Sequence, residues 1–152
     1  MSYLLQIVEA EEQPVLSVKT TTSIRDMPDV VGRVYGSIVN HIVQKGGKPI
    51  GPAFIAYYNM DMENLIVEIG FPIAGEIEGK GEIVSRSIPA GKRATGFHKG
   101  LYGEIGPVYE QLTKFVSEKG YEPTGVVYEY YYNSPNEVSE SELLTKIEFL
   151  LK

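Results

Sequence analysis

One glutamate stands inside an aromatic run near the end of the chain. Glu129 lies within Val126-Val-Tyr-Glu-Tyr-Tyr-Tyr132, a stretch whose residue types are typical of a β-strand. Side chains alternate between the two faces of a strand, so Tyr131 shares a face with Glu129. The face of an aromatic ring and a carboxylate both attract cations. The run therefore predicts a receptor for a small organic molecule that is cationic or electron-poor.

The chain also contains an internal repeat. When residues 32–59 are aligned with residues 106–133, ten of 28 positions are identical without a gap. Unrelated sequences of average composition would share roughly two. The identities are Gly32/Gly106, Val34/Val108, Tyr35/Tyr109, Lys45/Lys119, Gly46/Gly120, Pro49/Pro123, Gly51/Gly125, Tyr57/Tyr131, Tyr58/Tyr132 and Asn59/Asn133. We therefore expect one domain, residues 1–152, built from two similar halves at about 15–73 and 92–151.

The repeat shows where one half departs from the other. Glu129 is aligned with the apolar Ile55, although Tyr131 is matched by Tyr57 and the positions around them agree. An unpaired buried carboxylate is costly and is seldom kept for stability. We predict that Glu129, Tyr131 and Tyr57 belong to a binding site. The alternative is that Glu129 lies on a solvated strand face or pairs with Lys146 on the next strand.

Hydrophobic periodicity predicts the helices that position these residues. Two apolar stripes recur at three- and four-residue steps, as on one face of an amphipathic helix. They are Val31, Val34, Tyr35, Ile38 and Ile42 in the first half, and Ile105, Val108, Tyr109, Leu112 and Val116 in the second. Each stripe is followed by Lys-Gly, which is typical of a helix C-terminus. We expect Tyr35 and Tyr109 to pack between helix and sheet.

Runs of β-branched and aromatic residues predict six strands, three in each half. They lie at 15–22, 54–58 and 65–71, and at 92–97, 126–132 and 143–150. Each half is thus strand–helix–strand–strand, and the expected fold is α+β. It would be an antiparallel sheet with two helices on one face and pseudo-twofold symmetry between the halves. Residues 75–91 would include the hinge, where Gly79-Lys-Gly81 favours a hairpin turn over a phosphate-binding loop.

Composition argues against several classes of function. The chain has no cysteine, which excludes disulfides and a thiol nucleophile. A histidine-built metal centre would need both His41 and His98 together with carboxylates, and no pair of these residues has the spacing of metal ligands. A formal net charge of −6 argues against binding nucleic acid through its phosphates. The longest apolar stretch, residues 53–58, is too short to span a bilayer. We expect no metal, cofactor or membrane contact, and we expect the cytoplasm as the compartment.

Four short motifs occur in an order and spacing similar to those of a known superfamily. They are Pro89-Ala-Gly-Lys92, His98-Lys-Gly100-Leu-Tyr102, Glu129-Tyr-Tyr131 with Asn133-Ser-Pro135, and Leu144-Thr-Lys-Ile147. From about Val15 to its end, the chain resembles the GyrI-like small-molecule-binding superfamily. That superfamily includes the effector-binding domains of multidrug-responsive transcription activators, standalone gyrase-inhibitor-type proteins and the haem-binding SOUL proteins.

The resemblance implies a ligand cleft between the halves of a duplicated fold. Glu129 would stand at the position of the family's ligand-contacting glutamate, with Tyr131 and Tyr102 at matching aromatic positions. His98 is expected to make a structural hydrogen bond at the start of the second helix and not to bind haem. The stretch before Val15 is too short for a helix-turn-helix, so direct DNA binding is not expected.

Three functions are compatible with these residues. The first, which we favour, is a standalone module that senses or sequesters lipophilic compounds and acts alone or with a separate regulator. The second is a hydrolase of strained, cyclopropane-containing electrophiles, in which Glu129 activates water and Tyr131 stabilises or relays charge. The third is a protein that contacts gyrase through its surface. The carboxylate with its tyrosines suffices for the first, whereas the second needs a positioned water as well.

Overall fold

Two helices of the predicted kind follow the two apolar stripes. The computed structural model describes residues 4–152, and in it α1 spans Met27–Gln44 and α2 spans Gly106–Glu118. Each helix has a proline in its first turn, where the missing N–H costs nothing. Each is followed by a C-cap lysine and then by a glycine, Gly46 or Gly120, with φ of 78°. The left-handed conformation favours glycine there, and the predicted helix ends are confirmed.

Eight strands occur in the described part of the chain, two more than predicted. They are β1 Gln6–Ala10, β2 Gln13–Thr22, β3 Ala53–Tyr57, β4 Leu65–Pro72, β5 Val84–Ile88, β6 Gly91–Lys99, β7 Pro123–Tyr131 and β8 Leu144–Leu151. The six predicted strands are present, with ends shifted by at most three residues. The interpretation of residues 75–91 as hinge was incomplete because β5 lies there. Residues 79–83 do form the predicted turn, with Lys80 and Ile83 exchanging backbone hydrogen bonds.

The chain divides into two compact units that mirror the repeat. The first-repeat unit, Glu11–Pro89, contains α1 and the antiparallel strand order β3-β4-β2-β5. The second-repeat unit, formed by the chain up to Ala10 and by Ala90–Lys152, contains α2 and the antiparallel order β1-β6-β8-β7. The α+β class and the duplicated strand–helix–strand–strand pattern are therefore confirmed.

The two unpredicted strands occupy equivalent places. β1 pairs with β6 in the second-repeat unit, and β5 pairs with β2 in the first-repeat unit. Each unit therefore receives its edge strand from the segment that precedes the other half in the sequence. Alignment of residues 32–59 with 106–133 does not include these strands, so it could not reveal them.

Each helix buries its apolar stripe against its own sheet. In the second-repeat unit, Val108, Leu112 and Val116 pack in one cluster with Ala94, Ile147 and Phe149. Tyr109 contacts Phe149 with 5.7 Å between ring centroids, and Tyr35 makes the equivalent contact with Phe71 at 5.1 Å in the first-repeat unit. The same ring pair thus joins helix and sheet twice, as predicted for both tyrosines. None of the helices within residues 4–152 is long and apolar enough to cross a membrane.

Candidate functional site

Strand β7 directs Glu129 toward α2 and not toward solvent. Val127, Glu129 and Tyr131 alternate with Tyr128 and Tyr130 along the strand, and Val127 packs against the cluster under α2. Glu129 is 9% exposed. Its neighbour across the ladder is Ile147 on β8, which is fully buried. The carboxylate therefore occupies a position that an apolar residue would normally fill.

Two phenols donate hydrogen bonds to this carboxylate. The Tyr131 hydroxyl donates to Oε1 of Glu129 at 2.7 Å. The Tyr109 hydroxyl, which comes from the first turns of α2, donates to Oε2. No lysine, arginine or histidine nitrogen within residues 4–152 lies at ion-pair distance from Glu129. The carboxylate is thus in direct contact with neutral donors and not with a cation.

The environment of Glu129 favours its protonated form. Burial raises the pKa of the Glu129 carboxyl above its ordinary value. The hydrogen bonds from Tyr109 and Tyr131, together with the charge of His98, oppose this shift without cancelling it. A cation placed beside the carboxylate would lower the pKa again, because opposite charges stabilise the ionised form.

Tyr102 forms the exposed side of the site. It lies on a single turn of 3-10 helix, Tyr102–Glu104, and is 40% exposed. Its ring contacts that of Tyr131 edge to face, with 5.7 Å between centroids. Burial and the negative charges of Glu129 and Glu137 raise the pKa of the Tyr102 phenol. Tyr102 therefore presents a neutral aromatic ring next to a buried negative charge.

His98 and Thr145 complete the same sheet face. On β8, Thr145 pairs with His98 of β6 on one side and with Tyr131 of β7 on the other. The His98 Nε2 atom is 2.7 Å from the backbone oxygen of Leu101, the expected structural hydrogen bond before α2. The Thr145 hydroxyl is fully buried and has no hydrogen-bond partner among the described residues.

Both alternative explanations for Glu129 are wrong, since its side chain is buried and not solvated, and it does not pair with Lys146. Lys146 is opposite Tyr130 in the ladder, so it lies on the other sheet face. Its Nζ atom is 3.5 Å from Glu148 and 4.8 Å from the centroid of the Tyr130 ring. Strand order alone suggested the pairing with Glu129, and strand alternation prevents it.

Three of the four predicted site residues thus come together: Glu129, Tyr131 and Tyr102. Tyr57 lies at the end of β3 in the first-repeat unit, where it pairs with Val67 and is half-buried. Its role as a ligand contact stays a prediction. No group of three or more acidic or histidine side chains suited to a metal ion occurs among residues 4–152.

Two residues of the site escaped the sequence interpretation. Tyr109 was expected only to pack between helix and sheet, and it does so, but its hydroxyl also reaches Glu129. Thr145 carried no signal in the gapless alignment, which ends at residue 133. The repeat gave no signal for Tyr109 either, because Tyr109 is aligned with an identical residue, Tyr35, and so does not depart from the symmetry.

Comparison with known proteins gives a family match over nearly the whole chain. Residues 5–152 match the family described as GyrI-like small molecule binding domain. The C-terminal domain of EcmrR has a TM-score of 0.80 at 22% identity, with 100% of this chain and 99% of that domain covered. EcmrR in its complex with DNA gives a TM-score of 0.84 at 21% identity. There 99% of this chain is covered, and the chain spans 57% of EcmrR.

Two further structures are more distant in sequence. A hydrolase from Listeria innocua has a TM-score of 0.77 at 10% identity, with 99% of this chain and 93% of that one covered. SAV2435 bound to tetraphenylphosphonium has a TM-score of 0.67 at 11% identity, with coverage of 100% and 94%. At these identities the likeness shows a shared fold. Comparison with curated proteins gives no match.

Proposed function

Because the chain belongs to the GyrI-like family of small-molecule-binding domains, we propose that it binds a lipophilic organic cation with Glu129 as the counter-ion. The observation that carries this proposal is the buried Glu129 carboxylate, which accepts hydrogen bonds from two phenols and forms no ion pair within residues 4–152. A cationic ligand would supply the missing charge. Tyr102 and Tyr131 would supply ring faces, and Tyr57 stays a predicted contact.

The chemistry of the site favours a cation over a neutral aromatic compound. A carboxylate taken out of water is costly unless it is paired, and a cation that arrives with little hydration of its own pairs with it at low cost. Large onium ions are such cations because their charge is spread beneath an apolar surface. A protein of the same fold, SAV2435, is bound to the onium ion tetraphenylphosphonium, which supports this ligand class.

Substitution of Glu129 by Gln tests the proposal, since Gln retains shape and hydrogen bonding but not charge. Methyltriphenylphosphonium and the neutral triphenylphosphine oxide serve as matched ligands. We expect the substitution to weaken phosphonium binding by roughly ten- to a hundredfold and oxide binding much less, as measured by calorimetric titration. The control Glu118→Gln removes the same charge from the exposed end of α2 and should leave both affinities unchanged.

Two outcomes would contradict the proposal. If Glu129→Gln leaves phosphonium affinity unchanged, the carboxylate is not the counter-ion. If Glu118→Gln weakens phosphonium binding as much as Glu129→Gln does, the cation responds to the net negative charge of the protein and not to the site.

A hydrolase is the second candidate, and the raised pKa of Glu129 favours it. A buried carboxylate with a raised pKa is a better general base than a solvated one. It would take a proton from water as the water oxygen bonds to a strained ring carbon and a ring C–C bond breaks. The electron pair of that bond would stay on the substrate and be protonated in turn. Glu129→Gln would then abolish hydrolysis of a cyclopropane-containing electrophile while its binding persists.

Partner proteins remain hypotheses. A separate transcription regulator would explain a sensing role, and gyrase would be contacted through the protein surface. Either partner should co-elute with the chain in size-exclusion chromatography when the two are mixed.

A further inference from the structure

The buried hydroxyl of Thr145 is a polar group that the fold itself does not use. Its Oγ1 atom is inaccessible, and the described part of the chain offers it no hydrogen-bond partner. Buried polar groups in proteins are nearly always hydrogen-bonded, and one that is not lowers stability. The group is therefore unfavourable for folding alone.

Thr145 lies beside Glu129 on the sheet face that α2 covers. Glu129 pairs with Ile147 and Tyr131 pairs with Thr145, so Glu129 and Thr145 are diagonal neighbours on adjacent antiparallel strands. Diagonal neighbours on one face are within reach of a group that bridges their side chains. The hydroxyl and the carboxylate can therefore act on one small functional group.

The first-repeat unit shows what this position contains when no polar group is needed. Tyr57 pairs with Val67 as Tyr131 pairs with Thr145, so Val67 is the counterpart of Thr145. Val67 is fully buried. Valine and threonine have nearly the same shape, and the fold is satisfied by valine. The second-repeat unit therefore differs from the first at two neighbouring positions: Thr145 stands in place of Val67, and Glu129 stands in place of Ile55.

Building on the proposed function, we propose that Thr145 is a specificity-determining residue that selects cations carrying at least two N–H groups, such as a primary ammonium or an amidinium. One N–H donates to Glu129, whose oxygens retain acceptor capacity beside the phenols, and a second donates to the Thr145 hydroxyl. A fully alkylated onium ion satisfies the charge of Glu129 and leaves Thr145 unsatisfied.

The test compares two ligands that differ only at nitrogen: naphthylmethylammonium, with three N–H groups, and trimethyl(naphthylmethyl)ammonium, with none. We expect Thr145→Val to weaken binding of the primary ammonium about tenfold, the effect of one hydrogen bond to a charged donor. It should leave the trimethyl ion unaffected. Thr145→Ser retains the hydroxyl, so it should bind the primary ammonium more tightly than Thr145→Val does. The hydration of each ligand is the same in all variants, so it cancels from this comparison.

Stability and a second substitution keep the outcomes distinct. Thr145→Val should unfold at an equal or higher urea concentration than the wild type, because it removes an unsatisfied group from a position whose counterpart is valine. If it binds both ligands as the wild type does, Thr145 has no role in recognition and the inference is wrong. If Glu129→Gln also leaves both affinities unchanged, the proposed function fails as well. If Glu129→Gln weakens binding of both ligands and Thr145→Val weakens neither, the proposed function stands and only the inference about Thr145 is wrong.

Discussion

Two buried carboxylates in this chain are stabilised in different ways. Glu68 on β4 is 3% exposed and accepts hydrogen bonds from Ser17, from the Tyr58 hydroxyl at 2.6 Å, and from the Arg86 guanidinium, which also pairs with it electrostatically. Glu129 on β7 is 9% exposed, and within residues 4–152 its hydrogen-bond donors are two phenols. Glu68 thus has hydrogen bonds and an ion pair within its own unit, whereas Glu129 forms no ion pair within residues 4–152.

The pKa shifts of the two groups express this difference. Burial raises the pKa of Glu68, but hydrogen bonds from Arg86, Ser17 and Tyr58 and the charge of Arg86 outweigh it, so the net pKa lies below 4.5. Burial also raises the pKa of Glu129, and there the opposing contacts do not compensate, so the net pKa lies above 4.5. A structural carboxylate is thus one whose partners are complete, and a carboxylate with incomplete partners is a candidate for ligand binding.

Removing the cation from Glu68 should have the largest effect on the protein. Arg86→Met leaves a buried carboxylate that two hydroxyls support, which makes it resemble Glu129. We expect a loss of about 3 kcal/mol in the free energy of unfolding, as for other ion pairs broken on one side. Urea denaturation at neutral pH measures it.

The control for this substitution is an exposed arginine. Arg33 pairs with Glu82 at 2.8 Å, and both side chains are more than half exposed. Arg33→Met should cost less than about 1 kcal/mol, because exposed ion pairs contribute little. If Arg86→Met costs no more than Arg33→Met, Glu68 does not depend on its cation and the contrast with Glu129 disappears.

The sequence was sufficient to predict the fold where patterns were long and duplicated. Both helices, their Lys-Gly ends and six strands followed from periodicity and the repeat, and the family resemblance drawn from four motifs is confirmed. β1 and β5 were missed. Each is an edge strand of five residues without clear alternation, and its partner strand lies in the other half of the sequence.

At the site, the sequence identified the residue that departs from the repeat but not all of its neighbours. Glu129 was conspicuous because the symmetrical position is Ile55. The contact with Tyr109 depends on how α2 crosses the sheet, and the orphan hydroxyl of Thr145 depends on strand register beyond the aligned segment. Pairing of Glu129 with Lys146 was plausible from strand order and failed because the two side chains face opposite ways. Contacts set by packing geometry leave no mark in a linear pattern.

A smaller effect is expected when one phenol is removed from Glu129. Tyr109→Phe retains the ring contact with Phe149 but removes a donor to a buried charge. We expect a loss of about 1.5 kcal/mol in the free energy of unfolding at neutral pH. Tyr35→Phe is the matched control, since the Tyr35 hydroxyl donates to an uncharged acceptor, the backbone oxygen of Phe54, at 3.5 Å. Equal losses in the two variants would mean that the Tyr109 hydroxyl does not stabilise Glu129.

The last expected effect is a difference in the direction of the pH dependence between the two carboxylates. The pKa of folded Glu68 lies below 4.5, so ionised Glu68 contributes stability above pH 4.5 that is lost as the pH falls through that lower pKa. The pKa of folded Glu129 lies above 4.5, so protonated Glu129 contributes stability below pH 4.5 that is lost as the pH rises through that higher pKa. Relative to Glu68→Gln, the parent protein should therefore lose stability on acidification. Relative to Glu129→Gln, it should gain stability.

Urea denaturation from about pH 3 to about pH 8 measures both differences. His98→Gln is introduced into all of the proteins, because the His98 charge acts on Glu129. If the stability differences for Glu68→Gln and Glu129→Gln change with pH in the same direction, Glu129 has a complete set of partners like Glu68. The reason to assign Glu129 to a ligand would then be lost.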